Sequence, residues 1–173
     1  IAGHTSTTEY NGAAHTVTGY DITSISNALY TSSDFTFSGS ASASRTDTGT
    51  TNMGLAASQF TNNNANFEVT FIVTDGWQKI TANEGALTLT CPSGVSITKV
   101  YDGAALKPAA SVTGAIGSDV ITIEYSTNGG TTWDTIVPSI THVGTQDVKV
   151  RAKNPNYVTE TCEYTLTVTK RSG

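Results

Sequence analysis

The chain has 173 residues, of which 13% are charged and 37% hydrophobic, with a formal net charge of −5 and a pI near 5.0. That length suits one large all-β domain or two small ones. Lys and Arg are scattered, paired only at Lys170-Arg171, so no basic patch offers itself to a nucleic acid, and no apolar run approaches the roughly 18 residues of a bilayer-spanning helix. Neither end carries a signal peptide or sorting motif, and Ile1 as first residue suggests a processed or excised fragment. The chain is poor in the Leu, Glu, Lys and Arg that favour helices, and rich in Thr and Val, which favour strands.

In chain order, residues 15–20, 34–37, 52–57 and 67–73 read as strands, with a short one at 77–80. Residues 55–60 allow a helical turn at most. Leu87, Leu89 and Cys91 alternate with Thr88 and Thr90, a half-buried strand of period two. Val95, Ile97, Lys99 and Tyr101 form a weaker segment, ended by the turn signal Asp102-Gly103. Residues 120–125 read as a strand. Asn128-Gly129-Gly130 is a hairpin turn leading into Trp133 and Ile136. Residues 146–152 alternate through Val148 and Val150, and Cys162, Tyr164, Leu166 and Val168 form the last strand.

The chain also repeats itself. Tyr10-Asn11-Gly12-Ala13-Ala14 returns as Tyr101-Asp102-Gly103-Ala104-Ala105, and Val17-Thr18-Gly19 as Val112-Thr113-Gly114. Thr48-Gly49-Thr50 matches Val143-Gly144-Thr145, and Asn64-Ala65-Asn66-Phe67 matches Asn154-Pro155-Asn156-Tyr157. Phe71-Ile72-Val73-Thr74 matches Tyr164-Thr165-Leu166-Thr167. The common order predicts two homologous modules, 1–82 and 83–173, joined at the short polar stretch Thr81-Ala82-Asn83-Glu84-Gly85 and arranged end to end with limited freedom. Roughly seven short strands per module argue for an all-β fold of two tandem β-sandwiches. Uneven strand lengths disfavour an up-and-down barrel. A β-grasp-like module lacks its amphipathic helix.

The Tyr-Asp-Gly landmark, the Gly-Thr before a Val-x-Val strand, the Asn-Pro-Asn-Tyr turn and the closing Tyr-x-Leu-x-Val strand together resemble the bacterial Ig-like repeats called MBG or YDG domains. The second module carries all four, in Tyr101-Asp102-Gly103, Gly144-Thr145, Asn154-Pro155-Asn156-Tyr157 and Tyr164-Thr165-Leu166-Thr167-Val168. The first departs from them: Asn11 replaces the Asp, Asn52-Met53-Gly54-Leu55 follows Gly49, and Phe67 stands where Tyr is usual. The resemblance implies immunoglobulin-like β-sandwich modules in a large cell-surface, cell-wall-associated or secreted bacterial protein, without catalytic residues. Separately, Ser126-Thr127-Asn128-Gly129-Gly130-Thr131-Thr132-Trp133 looks like the Asp-box hairpin of sialidases, with Asn128 in place of Asp; one box with few arginines reads as a folding element.

Candidate functional residues are few. Cys91 and Cys162 are each in phase with the apolar positions of their strands. If those strands are antiparallel neighbours the thiols sit at one end and can form a disulfide; if parallel, they sit at opposite ends and stay free and buried. His4, His15 and His142 have no partner at zinc-ligand spacing. Asp21, Asp34, Asp47, Asp75, Asp102, Asp119 and Asp134 lie in or beside turns, where Asp bonds its own backbone, and no calcium-loop pattern contains them. Trp77, Trp133, Tyr30, Tyr125 and Tyr157 could stack on a sugar, although aromatics in small sandwiches are more often core; Trp77 sits where exposure is invited. No lysine is placed for an isopeptide bond, and no Ser-His-Asp order, phosphate loop or metalloprotease motif occurs. The expectation is therefore a monomeric, cofactor-free, non-catalytic stalk or spacer whose partners are neighbouring repeats, with adhesion to host glycan or protein as the alternative, and with neither nucleic-acid binding nor membrane insertion.

Overall fold

A computed structural model of the chain describes residues 1–92 and 96–173; the predicted strand position Val95 lies outside the described residues. The described residues form an all-β structure with two one-turn 3-10 helices, Ser32–Asp34 and Ala57–Gln59. It divides into two compact units, Ile1–Ala82 and Asn83–Gly173.

The first unit holds β1 (Ala2–Gly3), β2 (Thr5–Glu9), β3 (His15–Thr18), β4 (Tyr20–Asp21), β5 (Phe35–Phe37), β6 (Ser42–Arg45), β7 (Gly49–Asn52), β8 (Phe60–Asn62) and β9 (Trp77–Thr81). Strand β9 runs between β2, which is parallel to it, and β7, which is antiparallel. Three further antiparallel pairs, β1–β4, β3–β6 and β5–β8, complete the described ladders. The second unit holds β10 (Thr88–Thr90), β11 (Ser96–Val100), β12 (Ser111–Thr113), β13 (Thr122–Ser126), β14 (Gly144–Lys153) and β15 (Glu160–Thr169). Its main sheet has the order β11-β15-β14-β13, with β11 parallel to β15, and β10 pairs with β12.

Both units close in the same way. An early strand lies parallel to the last one, whose other side takes an antiparallel strand, β7 in the first unit and β14 in the second. The Tyr-x-Gly landmark ends that early strand in each: the Tyr10 amide donates to Thr81 O at 2.9 Å, and the Tyr101 amide to Thr169 O at 2.9 Å. Asn11 and Asp102 then make the same turn, accepting from the amides of Ala13 at 3.0 Å and Ala104 at 2.9 Å. Gly12 and Gly103 follow at φ 79° and 83°, a left-handed backbone that only glycine adopts without strain. Gly49 lies opposite Ile80 and Gly144 opposite Val168, so Ile80 and Val168 occupy equivalent places. The Asn turn is also shared: the amides of Phe67 and Tyr157 donate to the carbonyls of Asn64 and Asn154 at 3.1 and 3.0 Å.

Two landmarks do not superpose. Val17 pairs with Ala43 in β3–β6, whereas Val112 pairs with Leu89 in β10–β12. Residues 71–74 are not the counterpart of residues 164–167, because the strand equivalent to β15 is β9.

The core of the second unit follows from alternation. Tyr164 and Leu166 point inward from β15 and join Val148 and Val150 of β14 in one cluster, and Val168, next but one along β15, is buried too. The first unit instead gathers aromatics. Phe60 touches Tyr20, Phe35, Phe37 and Phe71 with ring centroids 5.3, 5.9, 5.0 and 5.5 Å apart. Such pairs add about 0.5–1.5 kcal/mol each beyond the area they bury.

The sequence missed β2, β6 and β12, which carry few apolar residues; Thr5-Ser6-Thr7-Thr8-Glu9 has none and is a strand through its β-branched threonines and its two-sided fit beside β9. It also missed β8. The predicted strand at 52–57 ends at Asn52. Met53 and Leu55 turn into the core there, and Asp75 accepts from the amides of Gly54 and Leu55 at 3.1 and 2.8 Å. Residues 67–73, also expected to be a strand, keep the alternation of burial but join no ladder. The hairpin after Asn128 is short: Asp134 bridges Tyr125, and Ile136 is exposed.

Gln78 is the flaw in the first unit's sheet. It is 1% exposed, its Oε1 has no partner, and its Nε2 makes only long bonds to Thr8 Oγ1 at 3.4 Å and Lys79 O at 3.2 Å. The equivalent place in the second unit holds Leu166. Gln78→Leu is expected to stabilise the first unit by about 1 kcal/mol, read as a rise in its thermal midpoint, since an unpaired buried acceptor is removed.

Candidate functional site

Cys91 and Cys162 form a disulfide with Cα atoms 6.1 Å apart. They are not neighbours in one sheet. Cys91 follows β10, which pairs with β12, whereas Cys162 lies on β15 opposite Val150, so the bond ties the two sheets of the unit together. Both half-cystines pack on the core cluster.

Most of the turn aspartates are committed to local structure. Asp34 accepts from the Thr31 amide at 2.7 Å and from Asn64 Nδ2 at 2.9 Å; the Thr31 amide, then Asn64, hold its pKa below the ordinary value. Asp102 pairs with Lys99 Nζ at 2.6 Å, and that contact followed by the Ala104 amide lowers its pKa. Asp119 accepts from the Tyr157 hydroxyl at 2.7 Å, and Asp134 from the Ile136 amide at 2.9 Å. Arg45 Nε donates to the Asp47 carbonyl at 2.7 Å. Among the described residues no three His, Cys, Asp or Glu side chains gather as a metal site would require.

The histidines are apart from one another. His15 Nε2 meets Asn11 Oδ1 at 2.9 Å, and His142 stacks on Tyr101. His4 has an acceptor at each ring nitrogen: Thr18 O lies 2.7 Å from Nδ1, and Asp21 Oδ1 lies 3.2 Å from Nε2. Only the doubly protonated ring can donate to both. The Asp21 contact, then the Thr18 carbonyl, therefore raises its pKa above 6.5.

The aromatics do not make a platform. Tyr30, Tyr125 and Tyr157 are buried, and their hydroxyls are bonded to Asn62 Oδ1 at 3.0 Å, the Ala110 amide at 3.1 Å and the Ile116 amide at 2.7 Å. Tyr164 is also buried, and burial, then Tyr125, pushes its hydroxyl up to about 12. Trp133 is pinned within its hairpin, donating Nε1 to Gly130 O at 3.0 Å beneath the Arg151 guanidinium at 4.2 Å. The turn is knit by Asn128 Oδ1, which accepts from Ser126 Oγ at 2.8 Å and the Thr132 amide at 3.0 Å. Trp77 is half-buried in the central strand β9, opposite Thr5 and Asn52, and it does not line the concavity described next.

The concave feature of the first unit was not legible as a site. Residues 22–27 and 67–74 wall a groove of about 520 Å³, within the range of about 300–1,000 Å³ usual for ligand sites. Tyr30 and Phe35 reach its floor from the core, while Ile22, Ile25 and Ile72 leave apolar surface along it, Ile72 being 80% exposed. Glu68 is the one acidic side chain in the lining, which includes no histidine, cysteine or lysine. Such a lining can hold an apolar or backbone-bonding ligand, and it offers no acid–base pair. The signal in the sequence was the alternation at 67–73, which shows a strand-like shape but cannot show whether a neighbour pairs with it.

No family model matches the chain, and no curated protein matches it.

Two outcomes follow from these contacts. In a histidine NMR titration, His4 is expected above pH 6.5, and Asp21→Asn should lower it. Because the folded value is raised, the stability it supplies is complete below pH 6.5 and disappears as the pH rises through the folded pKa. Reducing the disulfide, with its sequence separation of 71, should lower the stability of the second unit by about 4 kcal/mol. Calorimetry with and without reductant should show the transition of the first unit unmoved.

Proposed function

We propose that the chain is a non-catalytic structural spacer from a bacterial cell-surface or secreted protein, built of two tandem immunoglobulin-like β-sandwich modules of the MBG/YDG type and acting as a monomer beside neighbouring repeats. The observation that carries this reading is the shared closure of the two units, with Tyr10 and Tyr101 donating to Thr81 and Thr169 in equivalent ladders. Three of the family-like landmarks fall at matching positions of that frame, which supports duplication of one module. Most of the candidate aspartates, two of the histidines and most of the candidate aromatics are engaged in turns and local contacts, which suits a spacer better than an enzyme. A cross-sheet disulfide fits an oxidising, extracellular setting. No helix among the described residues is long and apolar enough to cross a membrane.

A second reading, adhesion to host glycan or protein, is favoured by the apolar groove of the first unit. The half-buried place of Trp77 within a sheet gives no support to sugar stacking there.

Force spectroscopy tests the spacer. Each unit should unfold in its own event. The oxidised second unit should release a short length, and reduction should add about 250 Å for the residues locked between Cys91 and Cys162. One merged event, or a second unit that extends fully while oxidised, would contradict the reading.

A further inference from the structure

The pair Asn-Gly occurs twice in the chain, at Asn11-Gly12 and Asn128-Gly129. In such a pair the asparagine side chain can close on its own backbone, because glycine has no Cβ to shield its amide nitrogen. The two pairs are held differently. Asn11 Oδ1 accepts from the Ala13 amide at 3.0 Å, two residues ahead, a turn that folds the carboxamide back over the Gly12 peptide. His15 opens β3 on the far side of the turn, and its Nε2 lies 2.9 Å from the same oxygen. A carboxamide oxygen only accepts, so His15 carries a proton on Nε2 and donates it. Two donors therefore converge on Asn11 Oδ1. The leaving nitrogen Nδ2 and the Gly12 amide make no hydrogen bond with any described residue, and the turn is exposed to water.

We propose that Asn11 is a self-modification site, at which the Gly12 nitrogen attacks Asn11 Cγ and the carboxamide is converted to a carboxylate with loss of ammonia. As the N–Cγ bond forms, the carbonyl electron pair moves onto Oδ1. The Ala13 N–H and the His15 Nε2–H already point at that atom, as the donors of an oxyanion hole do. When the carbonyl reforms, the Cγ–Nδ2 bond breaks, and the proton shed by the Gly12 nitrogen departs with Nδ2 as ammonia. Solvent water then opens the cyclic imide. Addition at Cγ restores the peptide bond and leaves aspartate; addition at the backbone carbonyl of residue 11 leaves isoaspartate. The aspartate product gives the first unit the Tyr-Asp-Gly turn of the second, with His15 beside the new carboxylate as Lys99 stands beside Asp102 at 2.6 Å.

The other two turns of this kind are shut to the reaction. Asp102 Oδ1 accepts from the Ala104 amide at 2.9 Å in the same geometry, but Lys99 and that amide keep its carboxyl ionised, and a carboxylate has no group to expel. Asn128 also receives two donors on Oδ1, from Ser126 Oγ at 2.8 Å and the Thr132 amide at 3.0 Å. Its bond runs four residues ahead rather than two, however, and its Nδ2 donates to Thr132 Oγ1 at 2.7 Å. Both ends of that carboxamide are fastened across the hairpin, with Ser126 itself buried, so Asn128 Cγ is held off the Gly129 nitrogen.

The test ages the full chain in neutral buffer and follows both Asn-Gly pairs by peptide mass spectrometry and an isoaspartate assay. The same measurement on the chain denatured in the presence of reductant gives the rate of each pair without the fold. In the native chain Asn11 should convert while Asn128 persists, and Asn11 should convert faster than in the denatured chain; once denatured, the two should react at similar rates. His15→Leu removes one donor and should slow Asn11 about tenfold in the native chain, short of the roughly hundredfold or more that a buried oxyanion donor supplies, with its denatured rate unchanged. His15→Gln retains a side-chain amide donor and should fall between. Asn11→Asp should fold with an unchanged amide spectrum outside the turn. Equal native rates at the two pairs, an Asn11 that is slower native than denatured, or a native rate untouched by His15→Leu would each overturn the proposal.

Discussion

Each unit depends on one parallel ladder that joins an early strand to the last strand. In the first, β2 lies along β9; in the second, β11 lies along β15. These pairings bring together residues at the two ends of each unit, so they form only after a large loop has been closed. Once made, they place the last strand in the middle of its sheet, with hydrogen bonds on both sides. The Tyr-x-Gly turns, the Gly-Thr positions and the Asn turns are arranged around that central strand.

The two units support this ladder by different means. The second extends β14 and β15 to ten residues each, packs Tyr164 and Leu166 with Val148 and Val150, and fastens its smaller sheet with a disulfide. The first has a five-residue β9 and a four-residue β7, and it carries the unpartnered Gln78. It compensates with the aromatic cluster around Phe60, and with a close backbone approach between Gly3 and Gly76, where a Cβ on Gly3 would lie 2.3 Å from Gly76 N. Shortening β7 at Met53 leaves residues 67–73 without a neighbour on the side away from β1.

Much of the fold was legible, and the reasons for the gaps are local. The strands β14 and β15 announce themselves because apolar residues alternate over many positions, and one face is buried. The disulfide was legible as a pair of core-facing half-cystines, but their sheets were not, since phase says which face a residue occupies and not which strand lies beside it. Thr-rich β2 has no apolar residue for periodicity to detect. The match of residues 71–74 to residues 164–167 was a similarity of composition between an unpaired segment and a paired strand; the hydrogen bonds of Tyr10 and Tyr101 place the equivalence at β9 instead. The groove was hidden for a related reason: alternation at 67–73 describes a strand's shape, and pairing depends on backbone elsewhere in the unit.

Native-state hydrogen exchange tests the central claim most directly, because protection reports paired backbone amides residue by residue. Amides that β9 and β15 commit to their ladders should exchange slowly, as should their partners in β2 and β11. Residues 68–73 should exchange orders of magnitude faster, although Val69, Phe71 and Val73 pack on the core just as strand residues do. Slow exchange at Thr70 and Ile72 in the isolated chain would mean that this backbone is already paired, and the account of an open strand position in the first unit would fail.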